Sequence, residues 1–226
     1  PVIVVQETST HEERELHKVA ETVDASLFKW GPQSHGTWAY PPEVRVCATA
    51  PVTERRVKKA LDFWRDLGYD FSRIYFNDVS RHCIETTFSY NTIIIDLIDG
   101  SHREPALATT TSWIDRETRE ILKAKVALKN TWGESDRILE HELGHALNLY
   151  HVFEGDVNGT TCPGAGNLCG SGVGDCCGDT SPYKRTLFTC PTGTEACTGA
   201  AYDNTIKNYM DYSSSACQTM YTTEQK

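Results

Sequence analysis

The chain has 226 residues, of which 39% are hydrophobic and 23% charged, a composition that suits one globular domain with a sizeable core. Its net charge is −9 and no run of lysine or arginine occurs, so nucleic acid is not expected as a partner. An acidic balance fits calcium or a basic substrate, although it also serves solubility. No apolar run approaches the roughly 20 residues of a membrane-spanning helix, so no membrane association is expected.

The first predicted element is a surface helix over residues 10–27. Thr10 can cap it, Glu13 completes a capping box, and apolar residues follow at helical spacing. The chain opens PVIVVQETST, with neither an initiator methionine nor a charged-then-apolar leader. It is therefore expected to be a processed or trimmed product.

Next come strands and a second helix. Strands are predicted at 44–50, 72–76 and 92–98, and the apolar, β-branched residues of the third indicate burial on both faces. A helix begins after its cap, Thr53, and ends at Gly68.

A hairpin follows. Its first strand, 106–113, is rich in threonine and is expected at the edge of the sheet. In its second strand, 121–128, apolar residues alternate with lysine, which predicts one buried face. The order of the elements predicts an α+β fold, a mixed twisted sheet backed by helices.

The next helix carries HELGHALNLYH, residues 141–151, with Ser135 as its expected cap. His141 and His145 stand one turn apart on one face, so they can occupy two corners of a tetrahedral zinc site. Glu142 lies beside them and can remove a proton from a water at the fourth position.

His151 can be the third ligand only if the chain turns back sharply. A glycine usually makes that turn in such motifs, and here Asn148 stands in its place. Asparagine is the commonest non-glycine residue in the left-handed conformation. The strain, on the order of 1 kcal/mol, is small beside the free energy of a zinc site. We therefore predict that Asn148 turns the chain and that His151 binds the metal, the alternative being a loop histidine.

Nine cysteines are unevenly placed, with two in the first 150 residues and seven in the last 65. Their density among glycines predicts a loop-rich lobe stapled by disulfides in an oxidising compartment. A glycosylation sequon at Asn158 agrees with secretion. A structural zinc cluster with Cys176 and Cys177 as ligands is the alternative. Because nine is odd, at least one thiol should be free or bonded outside this chain.

Several stretches resemble a known group of enzymes. HELGHALNLYH is similar to the extended zinc signature of the metzincin metalloendopeptidases, and NYMDYSSSAC, residues 208–217, resembles their methionine turn. HVFEGD after the third histidine, GDCCGDTSP at 174–182 and YTTEQ at 221–225 resemble the pappalysin (ulilysin-like) family. Residues 106–130 resemble the hairpin that precedes the active-site helix in metzincins generally. The resemblance implies a metzincin-type zincin fold.

It also implies roles for single residues. One catalytic zinc would be held by His141, His145 and His151, with Glu142 as general base. Met210 would form a hydrophobic floor beneath the site. Tyr212 matches the tyrosine that stabilises the oxyanion in several of these families, the alternative being a packing aromatic.

The resemblance implies disulfides as well, from Cys190 to Cys217 and from Cys169 to Cys197. Family members bind calcium in the loops after the third histidine. Oxygen-bearing candidates there are Asp156, Asp175, Asp179 and Thr180, and solvated loop acids are the alternative.

Specificity can be inferred from one position. In pappalysin-like enzymes that cleave before arginine, an acidic residue in the pocket precedes the cysteine after the methionine turn. Ala216 holds that position here, so an arginine side chain would lose its hydration without gaining a carboxylate. A preference for an uncharged residue after the scissile bond is predicted, unless another acid such as Asp203 restores the basic preference.

The chain is thus divided into an N-terminal segment, 1–43, and two catalytic subdomains, 44–151 and 152–226. The segment is either a pro-segment remnant or part of the catalytic domain. The whole resembles a secreted zinc endopeptidase acting on proteins or peptides. The alternatives are a catalytically silent secreted binding module and a non-peptide amidase. Glu142 disfavours the first, and an exposed edge strand suited to pairing with a peptide disfavours the second.

Overall fold

A computed structural model describes residues 2–10, 37–84, 90–98, 106–115, 117–132, 137–157, 159–163 and 174–225. The described residues form two compact units, one up to Asn148 and the other from Leu149 onwards. Most of the predicted helix at 10–27 lies outside the described residues, as do Ser135, Asn158 and Cys169. None of the described helices is both long enough and apolar enough to cross a membrane.

Strands and helices are concentrated in the first unit. Its strands are β1 Val2–Thr10, β2 Glu43–Cys47, β3 Ile74–Asp78, β4 Thr92–Leu97, β5 Ala106–Asp115 and β6 Ile121–Leu128. Its described helices are α1 Glu54–Asp66, α2 Arg81–Ile84 and α3 Ile138–Ala146. The strands form one sheet in the order β1-β5-β6-β4-β2-β3.

The centre of the sheet follows from its sequence. β4 pairs in parallel with both β2 and β6, and its first five residues are buried. A strand covered on both faces needs a continuous apolar run, which Ile93, Ile94 and Ile95 supply. With helices packed on a mixed sheet, the predicted α+β class is confirmed.

The N-terminal edge of the sheet differs from the prediction. β1 runs antiparallel to β5, from Val2 opposite Asp115 to Thr10 opposite Ala106. β5 therefore lies between β1 and β6, and its predicted place at the edge is wrong. The opening VIVVQETST is rich in β-branched residues, which favour strands. An edge strand leaves a row of unpaired backbone groups, and nine residues of β1 cover that row here.

α1 has the predicted boundaries and anchors the helix that carries the histidines. Its cap, Thr53, accepts a hydrogen bond from the Arg56 backbone N–H at 3.3 Å, and Gly68 follows its end with φ +97°. Trp64 Nε1 donates to the Glu140 carbonyl at 3.1 Å. Arg56 donates from Nη1 to Glu140 Oε1 at 2.9 Å, and Arg56 Nη2 bonds the other carboxylate oxygen. α3 is thus fixed one residue before His141.

The described residues of the second unit are mainly loops, with a short 3-10 helix at Tyr202–Asn204. Disulfides join Cys190 to Cys217 and Cys162 to Cys197. The first pair is the expected one.

The expected pairing of Cys169 with Cys197 is wrong, because the path of the loops brings Cys162 and Cys197 to a Cα–Cα distance of 5.5 Å. Sequence spacing cannot distinguish the two pairings, since both close loops of similar length. Cys176 is disulfide-bonded and Cys177 is a free thiol, so these two do not form the alternative zinc cluster.

Candidate metal centre

The first two histidines of the motif lie on one face of α3. His141 and His145 are both buried, and their Nε2 atoms are 3.1 Å apart. Residues four apart in a helix lie one above the other, which explains the approach. α3 begins directly after Arg137, which has φ +79° and no side-chain cap, so the expected cap at Ser135 is wrong.

The backbone of Asn148 has a left-handed conformation at the end of α3. Asn148 has φ +73°, which confirms the predicted left-handed turn. Its backbone N–H donates to the His145 carbonyl at 2.8 Å. The chain then leaves the helix direction, so His151 follows in a loop.

The three histidines fit a zinc ion. The candidate ligand atoms of His141, His145 and His151 all lie within 4.8 Å of one another, and all three residues are buried. Tetrahedral zinc with nitrogen ligands at about 2.0–2.1 Å separates those nitrogens by about 3.3 Å, close to the spacing of the first two. Three imidazoles are also a usual protein ligand set of catalytic zinc, in which a water takes the fourth position.

Glu142, the candidate base, is fully buried beneath β5. Thr110 Oγ1 of that strand donates a hydrogen bond to Glu142 Oε2 at 2.6 Å and lies 3.0 Å from the Glu142 carbonyl oxygen. A buried carboxylate needs such a donor because it has lost its hydration. Sequence reasoning missed Thr110, one of three consecutive threonines with no local signal to single it out.

Tyr212 lies beside the third histidine within the second unit. Its ring meets that of His151 edge-on, with centroids 4.7 Å apart, and also contacts Phe153. Phe153 in turn stacks on His151 at 4.7 Å with an interplanar angle of 10°. Contacts on two sides therefore hold the His151 imidazole.

Met210 forms a tight, fully buried turn in the same unit. Its backbone N–H donates to Asn208 Oδ1 at 2.9 Å, and its carbonyl accepts from Val152 N at 3.2 Å. Tyr221 places its hydroxyl 3.7 Å from the Met210 sulfur. The turn is thus bonded to the residue that follows His151.

Asp211 holds the other side of this turn and was not singled out from the sequence. Its carboxylate accepts hydrogen bonds from the Tyr183 hydroxyl and from the Ser213 backbone N–H. Burial outweighs these bonds and raises the pKa of Asp211 to about 6. Its carbonyl accepts from Gln218 Nε2 at 2.7 Å, so Asp211 is tied at both ends.

The four calcium candidates do not share one set of contacts. Asp156 is bonded through both carboxylate oxygens to the Arg185 guanidinium, at 2.9 and 3.0 Å. Asp175 accepts instead from Thr180 Oγ1 and Gln225 Nε2, and burial raises its pKa to about 6. Asp179 accepts from the Glu224 backbone N–H. An arginine already neutralises Asp156, which disfavours a cation there.

The two pocket candidates lie at the surface. Ala216 is exposed, with its N–H 3.4 Å from Ser214 Oγ. Asp203 is exposed and its carboxylate is bonded to Lys207 Nζ at 2.5 Å. A carboxylate paired with its own lysine is less available to a basic substrate.

The chain matches a known peptidase family and several curated proteins. The sequence profile of the peptidase family M43, described as "Pregnancy-associated plasma protein-A", matches residues 75–226. An extracellular metalloprotease of Colletotrichum graminicola is 40% identical over 86 residues, which are 38% of this chain and 27% of the relative. Extracellular metalloprotease 1 of Coccidioides posadasii is 37% identical over 82 residues, 36% of this chain and 25% of the relative. The matches thus span about a quarter of these relatives, and no solved structure matches the chain.

Proposed function

Because the chain belongs to the peptidase family M43, the pappalysin family of metzincin-type metalloproteases, we propose that it is a zinc-dependent endopeptidase acting on protein or peptide substrates. The observation that carries the proposal is the approach of three buried histidines, His141, His145 and His151, to within 4.8 Å. The relatives named as extracellular metalloproteases support the same activity.

In this proposal the three histidines hold one zinc, which supplies acidity by lowering the pKa of a bound water to about 7. Glu142 accepts a proton from the attacking water and gives it to the leaving amine. The Tyr212 phenol donates a hydrogen bond to the oxyanion that develops on the scissile carbonyl. Met210 packs beneath the site without taking part in proton transfer.

Two other functions remain to be separated from this one. A silent binding module would have no use for a buried carboxylate next to two zinc-binding histidines. An exposed edge at β5 no longer disfavours a non-peptide amidase, because β1 covers that edge. The family match and the names of the relatives disfavour it instead.

The test compares wild type with Glu142→Ala on casein, with and without a chelator, together with the zinc content of both proteins. We expect one zinc per chain in each and a loss of cleavage by about 10² to 10⁴ in the variant, since its water lacks a base. Glu117→Ala, in an exposed turn, is the matched control and should cleave like wild type. If zinc-loaded wild type cleaves no peptide, the catalytically silent binding module is the supported function instead. Wild-type turnover by Glu142→Ala would remove Glu142 as base.

The proposal also covers which residue is preferred after the scissile bond. With Ala216 in the pocket position and Asp203 paired with Lys207, we propose cleavage before uncharged, medium-sized or apolar residues. Ala216→Asp should add a preference for arginine, because a carboxylate forms two charge-assisted hydrogen bonds with its guanidinium. Cleavage-site profiling on a peptide library measures both, and dominant cutting before arginine or lysine by wild type would show the inference to be wrong.

We further propose that the protein is secreted, as its disulfides and the extracellular relatives suggest. Calcium would bind among Asp175, Asp179 and Thr180 rather than at Asp156, whose charge Arg185 neutralises. Thermal unfolding with calcium and with a calcium chelator tests this, and identical midpoints would remove calcium from the proposal.

A further inference from the structure

We propose that Thr110 is a positioning residue that orients the Glu142 carboxylate for proton transfer. The proposal rests on the proposed function, since it assigns a partner to the residue named there as the base.

The contact joins two buried groups. Thr110 is 1% exposed and Glu142 is not exposed at all. Thr110 Oγ1 lies 2.6 Å from Glu142 Oε2, a normal length for a hydroxyl that donates to a charged oxygen. The bond fixes the rotation of the carboxylate about its last side-chain bond, because one of its two oxygens is tied to the sheet.

The same hydroxyl also lies 3.0 Å from the Glu142 backbone carbonyl oxygen. A hydroxyl has one proton to donate, and the carboxylate oxygen is the nearer of its two acceptors. Both acceptors belong to Glu142, so the hydroxyl has a partner on that residue whichever way its proton turns.

Three variants test the proposal kinetically. Thr110→Val keeps the shape and removes the hydroxyl, and should lower kcat by about 10- to 100-fold while KM changes less than about 2-fold. Thr110→Ser keeps the hydroxyl and should restore kcat to within about 3-fold of wild type. Thr111→Val is the matched control, because neighbouring residues in a strand point to opposite faces. A kcat for Thr110→Val within about 2-fold of wild type would overturn the proposal.

A second measurement does not depend on activity. Thr110→Val should lower the urea midpoint of the zinc-free protein, and this effect should be smaller in a Glu142→Ala background, because only the bond to the backbone carbonyl then remains. Equal effects in both backgrounds would overturn the proposal. Coupling between the two residues in a protein that cleaves no peptide would instead contradict the proposed function and leave the positioning contact in place.

The covered edge of β5 carries a second, independent inference. We infer that β1 is a displaceable occupant of the edge that an extended peptide substrate requires, which again rests on the proposed function. β1 pairs along the whole of β5, and its residue opposite Thr110 is Glu7. Backbone groups of β1 therefore run past the residue that holds the candidate base.

A peptide that adds a strand to a sheet uses the backbone N–H and C=O groups of the exposed edge. β1 and an incoming peptide need the same groups of β5, so they compete for them. Apparent substrate affinity is then proportional to the fraction of molecules in which β1 has left the edge.

Opposite changes to β1 should have opposite effects. Gln6→Pro with Glu7→Pro removes the one donor of this pair that faces β5, because adjacent N–H groups of a strand point to opposite sides. It should raise kcat/KM by about 10-fold if β1 occupies the edge about nine-tenths of the time. Gln6→Cys with Thr111→Cys, which face each other in the register, would lock β1 in place when oxidised and abolish cleavage.

In the Glu142→Ala background, the proline pair should strengthen the binding of an uncleaved casein peptide and the oxidised cysteine pair should weaken it. Fluorescence anisotropy measures both. Wild-type cleavage and binding by the locked protein would overturn the inference, even if the proline variant fails to fold. Binding that follows the expected order in a protein that never cleaves would contradict the proposed function alone.

Discussion

The two units of the chain are stabilised in different ways. In the first, a six-stranded sheet and α1 bury side chains such as Leu61, Trp64 and Ile94 completely. In the second, the described residues form loops and a short 3-10 helix, joined by Cys162–Cys197 and Cys190–Cys217. Loops expose more backbone than strands and bury less apolar surface, so the second unit depends more on cross-links and side-chain hydrogen bonds.

Several buried carboxyl groups of the two units differ in the direction of their pKa shift. In the first unit, hydrogen bonds from Thr49 and Lys125 to Asp96, and from Ser80 and Arg45 to Asp78, outweigh burial and lower the pKa of both carboxyls. In the second, burial raises the pKa of Asp175 and Asp211 to about 6. Glu195 is an exception there, since donors of its own loop lower its pKa. Asp78 and Asp96 therefore stay ionised to a lower pH than usual, whereas Asp175 and Asp211 take up protons at a higher pH than usual.

The largest effect is expected at a buried ion pair in the first unit. Arg56→Ala removes the partner of Glu140, which is 3% exposed, and should cost about 3–5 kcal/mol because a buried charge is left uncompensated. Urea unfolding followed by tryptophan fluorescence reports mainly this unit, which contains four of the five tryptophans, Trp38, Trp64, Trp113 and Trp132. The double change Arg56→Met with Glu140→Leu is the control and should cost much less. A loss below about 1 kcal/mol in Arg56→Ala would mean that water reaches the pair.

A slightly smaller loss is expected in the second unit when a cross-link is removed. Cys190→Ser with Cys217→Ser opens a loop with a sequence separation of 27, which the chain-entropy model values at about 3–4 kcal/mol. Because this disulfide lies next to the methionine turn, proteolytic activity should fall while tryptophan fluorescence is unchanged. Cys47→Ser with Cys83→Ser, a separation of 36 in the first unit, is the matched control and should affect the fluorescence midpoint instead. Simultaneous loss of both signals in the first variant would show that the units unfold together.

The sequence predicted what local patterns determine. Thr53 and Gly68 mark both ends of α1, the isoleucines of β4 indicate burial on both faces, and Asn148 has the left-handed conformation that its position requires. It did not predict contacts between distant segments. β1 pairs with a strand about a hundred residues away, and no local signal in its sequence identifies that partner.

The same difference between local patterns and long-range contacts applies to the candidate site. The spacing of the histidines is a local property, and it indicated all three candidate ligands. Thr110 reaches Glu142 across 32 positions and Cys197 bonds Cys162 across 35, and both contacts depend on the path of the whole chain. Long-range packing therefore decides the surroundings of the site.

A smaller effect is expected from pH, with opposite signs in the two units. Asp211 has a folded pKa of about 6, above its unfolded value of about 3.9, so the folded state binds more protons between those values. The contribution of Asp211 to stability therefore rises as pH falls from 7 to 5. The lowered pKa values of Asp78 and Asp96 act in the other direction, but only as pH falls below about 4.

Asp211→Asn isolates this effect from the titration of the histidines, which both proteins share. Relative to the variant, zinc-free wild type should gain about 2–4 °C in the tyrosine-reported unfolding midpoint between pH 7 and pH 5. Asp96→Asn, the control from the first unit, should show no such gain over this range. A relative loss for wild type would mean that Asp211 stays charged in the folded state.

The smallest effect is expected at Asn148, where the first unit ends. Asn148 is 8% exposed and has φ +73°, a conformation that glycine adopts without steric cost. Asn148→Gly should therefore keep activity and zinc, and raise stability by a few tenths to about 1 kcal/mol. Asn148→Ala is the control, since its Cβ has the same strain without an amide that bonds locally to the backbone, and it should lower stability by about 1 kcal/mol. Urea unfolding and zinc content measure both variants. If Asn148→Gly loses zinc while Asn148→Ala keeps it, backbone stiffness at this turn, rather than its left-handed conformation alone, holds His151 at the metal.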